Sequence, residues 1–309
     1  LKMTPKRLFI QEVVTRDGFQ AESQFVPTAE KIQLINRLSN AGYAKIEVTS
    51  FTSPKAIPML ADAEQVMQGI KRNPGIEYTA LIPNLKGAQR AGAVHVDEFN
   101  LVMSASEAHN QANLRMSRSD SAAALHAVIA FANQAGIASN VSLSTSFGCP
   151  IAGAISLKDL MHWVDYFANL GVRGLTICDT TGMANPAQVK AVCYAVQDKY
   201  PHIQWTLHFH NTRGMGLANA LAAVEAGIVR FDSSLGGLGG CPYAPGATGN
   251  ICTEELVHMF DLMGYDTNMN LDLLLECSND LQTLIGRKLP SQLLMAGKVD
   301  RLHSAPQQP

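Results

Sequence analysis

Eight short β-branched or apolar stretches recur along the 309-residue chain, each followed by a longer stretch with helical spacing, and no other feature restricts the fold as strongly. They are Leu8–Val14, Lys45–Thr49, Glu77–Leu81, Glu98–Met103, Asn140–Thr145, Gly174–Cys178, Gln204–Phe209 and Val229–Ser233. Alternation of this kind predicts βα units and a parallel sheet. A count of eight, with strands that read as buried on both sides, favours a closed (β/α)₈ TIM barrel over an open doubly wound sheet. Between the strands, Thr28–Ala41 carries Ile32, Ile35 and Leu38 on one stripe, with Thr28 as the expected N-cap. Leu157–Leu170 carries Leu160, Val164 and Phe167 in the same way. Gly42, Gly136, Gly171 and Gly227 each fall between a helical stretch and the next strand, where a helix end often needs a positive φ.

The expected organisation is a single catalytic domain over residues 1–309, with the barrel over about 8–265 and a helical extension over about 268–294. His303–Pro309 reads as a polar, frayed end. With 47% apolar and 16% charged residues, the chain can bury a sizeable core. A net charge of −2 and the lack of a Lys/Arg stripe argue against nucleic acid as a partner. No apolar run reaches the ~20 residues of a membrane span, and the first residues lack a signal-peptide core, so a cytoplasmic setting without membrane contact is expected. The six cysteines, Cys149, Cys178, Cys193, Cys241, Cys252 and Cys277, form no CxxC pair and read as reduced thiols.

Chemistry in such a barrel sits at the C-terminal ends of the strands. There the seventh stretch ends in Leu207-His208-Phe209-His210-Asn211, and strand alternation turns His208 and His210 toward the same face. Two satisfied core histidines are the plain alternative. Asp17 follows the first strand at the same rim, and strands one, seven and eight are neighbours in a closed barrel, so a carboxylate and two imidazoles can converge on one ion. Nitrogen and oxygen donors in that mixture suit Mg²⁺ or Mn²⁺. After the eighth strand comes Gly236-Gly237-Leu238-Gly239-Gly240-Cys241-Pro242-Tyr243. Its glycines allow a loop that closes over a substrate and carries the Cys241 thiol to it, or else a flexible or phosphate-cradling loop with no catalytic part. Arg16 beside Asp17 is either a surface ion-pair former or a guanidinium that stabilises an enolate oxygen. Glu47 and Asp179, at the ends of the second and sixth strands, are candidates for holding Arg16 or another donor.

Together these segments resemble the 3-hydroxy-3-methylglutaryl-CoA lyase family, within a wider group of metal-dependent barrels that includes isopropylmalate synthase. The resemblance runs from about Phe9 to Leu275. It is carried by Glu12-Val13 with Arg16-Asp17-Gly18, Gln20 and Glu22, Ile46 to Phe51 with Ser53-Pro54-Lys55, Gly148-Cys149-Pro150, Asp179-Thr180 with Gly182, His208 and His210, and above all by Gly237 to Tyr243 with Gly249-Asn250. It implies a carbon–carbon lyase of leucine catabolism that cleaves an acyl-CoA thioester, with a homodimer as the expected assembly. It implies that Asp17, His208, His210 and Asn250 ligate the metal and that Arg16 supports the enolate. Cys241 would act as the loop acid or base, Glu47 and Asp179 would organise Arg16 and the metal site, and Gln20 and Ser50 would contact substrate.

The chain also departs from the family pattern. Thr15 stands where proline is usual, Phe19 where leucine is, and Ala21 where asparagine is; Phe209 separates the histidines where a small residue is usual. Arg213 stands in a segment that usually reads Asp-Thr-Tyr-Gly-Gln, and would add positive charge near the substrate rim unless it is a solvated helix-start arginine. Asn110, Asn113 and Arg115, in a polar loop after the fourth strand, are further residues that would face substrate. Two other functions compete with the lyase reading. One is Claisen condensation of the isopropylmalate or citramalate synthase type, although those enzymes carry long C-terminal extensions and only about forty residues follow the barrel here. The other is a catalytically silent metal-binding barrel, which has no use for a thiol on a glycine-rich loop.

Overall fold

A computed structural model describes residues 6–240, 249–302 and 304. Eight parallel strands close on themselves in chain order: β1 (Phe9–Glu12), β2 (Lys45–Ser50), β3 (Glu77–Leu81), β4 (Glu98–Ser104), β5 (Ala138–Ser144), β6 (Gly174–Asp179), β7 (Gln204–Phe209) and β8 (Arg230–Ser233), with β8 hydrogen-bonded to β1. The outer layer is α1 (Thr28–Leu38), α2 (Ala63–Gly69), α3 (Leu85–Ala93), α4 (Glu107–Leu114) with α5 (Arg118–Ala135), α6 (Leu157–Ala168), α7 (Pro186–Lys199), α8 (Gly216–Glu225) and α9 (Thr253–Leu262). Two more helices, α10 (Leu271–Ile285) and α11 (Gln292–Ala296), form the C-terminal extension. The expected TIM barrel is therefore the observed one.

Sequence chemistry accounts for most of the helix limits. Asn84, Ser106, Ser117, Ser156, Asn185, Asn270 and Ser291 each accept a backbone N–H from the first turn of the helix they precede. Thr28 does not cap α1. That position falls to Pro27, and the Thr28 hydroxyl donates to Asp62 Oδ2 at 2.7 Å. Leu160, Val164 and Phe167 are buried as their spacing predicts. The four αβ-turn glycines all have positive φ, and at Gly42 (φ 103°) an added Cβ would lie 2.0 Å from the Asn268 carbonyl oxygen.

β2, β4 and β6 each run one residue further than expected, to Ser50, Ser104 and Asp179, whereas two strands stop short of their expected ends, both at the functional rim. β1 stops at Glu12 rather than at Val14, because the chain turns into one wide helical turn over Val14–Gly18. Glu12 Oε1 accepts the Val13 and Val14 N–H groups at 3.0 and 2.8 Å; Val13 N–H still reaches the Ser233 carbonyl of β8 at 3.0 Å, and the ladder ends there. The turn closes through Asp17 N–H to Val13 C=O at 2.7 Å. At Gly18 a Cβ would meet Val14 and Leu238 side chains at 3.1–3.2 Å, closer than ordinary contact, so those side chains would have to give way. β5 stops at Ser144, one residue early, because Thr145 takes φ 55°.

Candidate active site

The rim formed by the C-terminal ends of the strands opens into a cleft of 580 Å³. Arg16, Asp17, Gln20, His208, His210 and Asp232 are among the residues that line it. The wide turn after β1 faces Asp17 toward the end of β7, where strand alternation sets His208 and His210 side by side with Nε2 atoms 3.2 Å apart. The fourth expected ligand arrives by a different route. The segment 249–252 runs as an added short strand against the ends of β7 and β8, through Asn211 N–H to Gly249 C=O (2.9 Å), Ile251 N–H to Phe209 C=O (3.0 Å) and Ser234 N–H to Ile251 C=O (3.0 Å). That pairing sets Asn250 opposite His210. Asn250 Nδ2 donates to Asp17 Oδ2 at 2.7 Å.

These donors fit a divalent ion. One ligand atom each from Asp17, His208 and His210 lies within 4.8 Å of the others. An octahedral ion with ligands at about 2.1 Å has neighbouring donors about 3 Å apart, close to the spacing of the two Nε2 atoms. Asn250 Oδ1 is buried with no hydrogen-bond partner among the described residues, as an amide oxygen kept for a cation would be. His208 Nδ1 lies 3.1 Å from Asp232 Oδ2, so the imidazole is oriented with its Nε2 lone pair toward the cleft.

The charges around this point are strongly coupled. Arg16 is buried and bridges two carboxylates, with Nε on Glu47 Oε2 (2.7 Å) and Nη1 on Asp17 Oδ1 (2.6 Å). Burial pushes the Asp17 carboxyl up, but Arg16 together with His208 and His210 outweighs it and holds the group well below the usual carboxylate range. Burial and the neighbouring His208 lower His210 to about 4. For His208, burial is overcome by the hydrogen bond and charge of Asp232, which raise its pKa. Glu47 is raised, mainly by burial, against the pull of Arg16. The result is a carboxylate that stays ionised and a His210 imidazole that stays neutral, the protonation states a metal needs, whereas His208, raised by Asp232, holds its proton more tightly and gives it up when an ion binds.

Other expected residues stand apart from this cluster. Asp179 does not touch Arg16; its Oδ1 accepts the Met183 and Ala184 N–H groups at 2.7 and 3.2 Å and so shapes the turn after β6. Its Oδ2 is buried without a partner among the described residues, and burial lifts the carboxyl to about 6. Ser50 is turned to Thr52, with the two hydroxyl oxygens 2.8 Å apart, and Thr52 rather than Ser50 lines the cleft. The residues expected in a polar loop after β4 lie instead on or at the end of helix α4: Asn113 lines the cleft, Arg115 ends the helix at φ 56°, and Asn110 is fully buried, tied to Ser104, Met116 and Ser121. Arg213 is not among the residues that line the cleft; its guanidinium donates to the Thr181 and Gly182 carbonyls at 2.9 and 3.0 Å, and its charge acts on Asp179. Cys241 lies outside the described residues. The other five cysteines are free and buried.

Two carboxylates of the rim escaped the sequence reading of roles. Asp232 sits on β8 opposite His208 in the strand register. Glu12 is fully buried, and besides Val13 and Val14 it accepts Leu235 N–H at 3.0 Å, the Thr253 hydroxyl at 3.2 Å and the Tyr43 hydroxyl. It thereby ties the wide turn after β1 to the segments that follow β8. An acidic residue within an otherwise buried strand was the available signal for both.

Residues 7–281 match the HMGL-like family. The chain belongs to this family. Its relatives within the family include the hydroxymethylglutaryl-CoA lyase of Bacillus subtilis, 42% identical over 95% of this chain and 98% of that one. The (R)-citramalyl-CoA lyase of Chloroflexus aurantiacus is 36% identical over 94% of this chain and 95% of that one. Among solved structures, an HMG-CoA lyase from Acinetobacter baumannii in complex with coenzyme A and 3-methylmalate superposes with a TM-score of 0.94 at 49% identity, covering 99% of this chain and all of that one. Among the described residues of this HMGL-like protein, no helix is long and apolar enough to cross a membrane.

Proposed function

We propose that the protein is a divalent-metal-dependent carbon–carbon lyase that cleaves 3-hydroxy-3-methylglutaryl-CoA to acetyl-CoA and acetoacetate. The observation that carries the reading is the convergence of Asp17, His208 and His210 within 4.8 Å beside the buried Arg16, at the floor of a cleft large enough for an acyl thioester. The lyase names of its relatives support the same activity. In the reaction the 3-hydroxyl loses its proton and becomes the ketone of acetoacetate as the C2–C3 bond breaks. The electron pair passes to C2 as a thioester enolate, and a proton added at C2 gives acetyl-CoA.

Asp17, His208, His210 and Asn250 would hold Mg²⁺ or Mn²⁺, which would supply Lewis acidity that lowers the pKa of the substrate hydroxyl. Of the residues beside that position, His208, raised by Asp232, is the stronger base, and Asp17, held well below the usual carboxylate range, the weaker. The Arg16 guanidinium, fixed by Glu47, stabilises the enolate oxygen, and burial strengthens that interaction because little water competes. Cys241, two residues beyond Gly239 and nine before Asn250, delivers the proton to C2. Gln20 contacts substrate from the rim and Asp179 holds the turn beside it; Ser50 acts through Thr52. The reading takes the whole chain as one catalytic domain, working as a homodimer in the cytoplasm, as expected for a relative of a bacterial lyase.

The test is acetoacetate release from 3-hydroxy-3-methylglutaryl-CoA with Mg²⁺ or Mn²⁺, repeated after chelation, alongside citramalyl-CoA because of the Chloroflexus relative. Cleavage that chelation abolishes and metal restores supports the proposal. Cleavage of citramalyl-CoA alone would move the assignment to that substrate, and well-folded, metal-loaded protein that cleaves neither would overturn it.

A further inference from the structure

Below the cleft the barrel interior is polar, and its side chains form one directed series of hydrogen bonds. Arg16 Nε occupies Glu47 Oε2, and the other oxygen, Oε1, accepts from Asn100 Nδ2 at 2.7 Å. Asn100, on β4, gives its Oδ1 to two donors on β5, Asn140 Nδ2 at 3.0 Å and Ser142 Oγ at 2.8 Å. Asn140 Nδ2 also donates to Thr176 Oγ1 on β6 at 2.9 Å. Asn100 borders both the cleft and a 20 Å³ interior cavity beneath it, so its amide is part of the cleft floor.

The direction of this series is fixed by what each group can donate. The Glu47 carboxylate, already paired with Arg16, can only accept, so the Asn100 NH₂ faces it and Asn100 Oδ1 is left to take the Asn140 and Ser142 donors. Turning the amide over would set its NH₂ against that of Asn140 and confront Glu47 Oε1 with a carbonyl oxygen. With one donor on each oxygen, the plane of the Glu47 carboxylate is set, and Arg16 Nε must align with that plane. Without the Asn100 donor, a buried carboxylate oxygen has no partner, and its carboxylate is free to rotate or to draw the guanidinium down.

We propose that Asn100 is a positioning residue: through Glu47 it holds the Arg16 guanidinium in the orientation that meets the enolate oxygen. The proposal rests on the lyase reading above for its chemistry, but its structural half stands without it. Asn100→Asp keeps the shape and replaces the donor with an acceptor, so two carboxylates confront each other. The double variant Glu47→Gln with Asn100→Asp restores a donor between them: the amide NH₂ introduced on β2 donates to the carboxylate introduced on β4, while the amide oxygen still accepts from Arg16.

Steady-state kinetics of the full-length, metal-loaded enzyme form one arm of the test. The expected result is a kcat roughly tenfold or more lower for Asn100→Asp, a KM within about threefold of the parent, and partial recovery of kcat in the double variant. A general folding defect would not be repaired by a second substitution in the site. The other arm reads the geometry directly. In arginine-labelled protein, a slowly exchanging Nε–H proton resonance assigned by its loss in Arg16→Lys is expected to vanish in Asn100→Asp and in Asn100→Leu and to persist in the double variant. A kcat for Asn100→Asp within about twofold of an active parent, or an unchanged Arg16 resonance, would overturn the proposal. If the parent cleaves no 3-hydroxy-3-methylglutaryl-CoA, the functional reading fails, and the resonance still decides whether Asn100 fixes Arg16.

Discussion

His208 Nδ1 and Asp232 Oδ2 stand 3.1 Å apart across the β7–β8 pair, joining a proposed metal ligand to a carboxylate that faces the same cleft. Such a partner fixes which imidazole nitrogen carries the proton and makes the other a stronger donor to a metal. Replacement of Asp232 by Ala is expected to weaken Mn²⁺ binding by about 10–100-fold, measured by calorimetry on the metal-free protein. Unchanged affinity would mean that the strand register alone orients His208.

Arg16→Lys retains the charge but loses the fork that joins Glu47 to Asp17. A fall in kcat of about 10²–10³-fold is expected, as for removal of an oxyanion donor, with Mn²⁺ affinity changed far less. Equal losses in both would place Arg16 in metal binding rather than in enolate stabilisation.

Glu12 links stability to pH. Burial favours its neutral carboxyl in the folded chain and raises its pKa from 4.5 to about 7, against the opposing pull of the Tyr43, Val14 and Leu235 hydrogen bonds. The folded form therefore holds this proton more tightly than the unfolded one. Its contribution is full below pH 4.5 and is lost as the pH rises to about 7, a change of about 3 kcal/mol if Glu12 alone titrates. Glu12→Gln keeps an acceptor for the three N–H groups and offers its NH₂ to the two hydroxyl oxygens, so the fold is expected to survive. Urea denaturation at a series of pH values tests this. The parent-minus-variant stability is expected to decline with rising pH across that window, and a flat difference would show that Glu12 is ionised throughout.

Gly42→Ala probes the joint between α1 and β2. At φ 103° an alanine is strained, and its Cβ would lie 2.0 Å from the Asn268 carbonyl oxygen, so that backbone has to move. Destabilisation of about 2 kcal/mol or more is expected, seen in calorimetry as a Tm lower by several degrees, with metal affinity unaffected. A Tm within about a degree of the parent would show that the α10 side of this contact yields freely.

The barrel was legible because its signals are local and repeated. Apolar strands, helical stripes such as Leu160-Val164-Phe167 and the αβ-turn glycines each act within a few residues. His208 and His210 were legible for the same reason, since strand alternation alone puts them on one face. What escaped depended on contacts between distant segments. Asp232 gains its role from the register of β7 against β8, and Glu12 from donors that lie more than 200 residues away at Leu235 and Thr253. Val13 and Val14 were read as the end of the first strand because β-branched residues favour strands locally, whereas the backbone beside the buried Glu12 carboxylate turns from Val14 onward. Arg213 was read as either a charge at the substrate rim or a solvated helix-start arginine, and neither reading foresaw the two carbonyls that the loop after β6 supplies to it. Ser50, Asn110 and Arg115 lay near the rim in sequence, yet short-range bonds or helix geometry turn them to other tasks.

The pairing of segment 249–252 with the ends of β7 and β8 also bears on how a lyase of this kind can change. The chain leaves the rim at Gly239 and comes back to the same point at Gly249, where an added Cβ would lie 2.3 Å from the Gly239 carbonyl oxygen. Asn250 Nδ2 donates to the Leu238 carbonyl at 3.3 Å, so the described residues on the two sides are themselves joined, and doubling the length of the segment between them costs only about 0.6 kcal/mol. The intervening residues, Cys241 among them, can therefore be exchanged as a cassette while Asn250 keeps its station beside His210. Proton delivery and acyl preference are then free to diverge in evolution, or be swapped by grafting, without rebuilding the ion-binding centre.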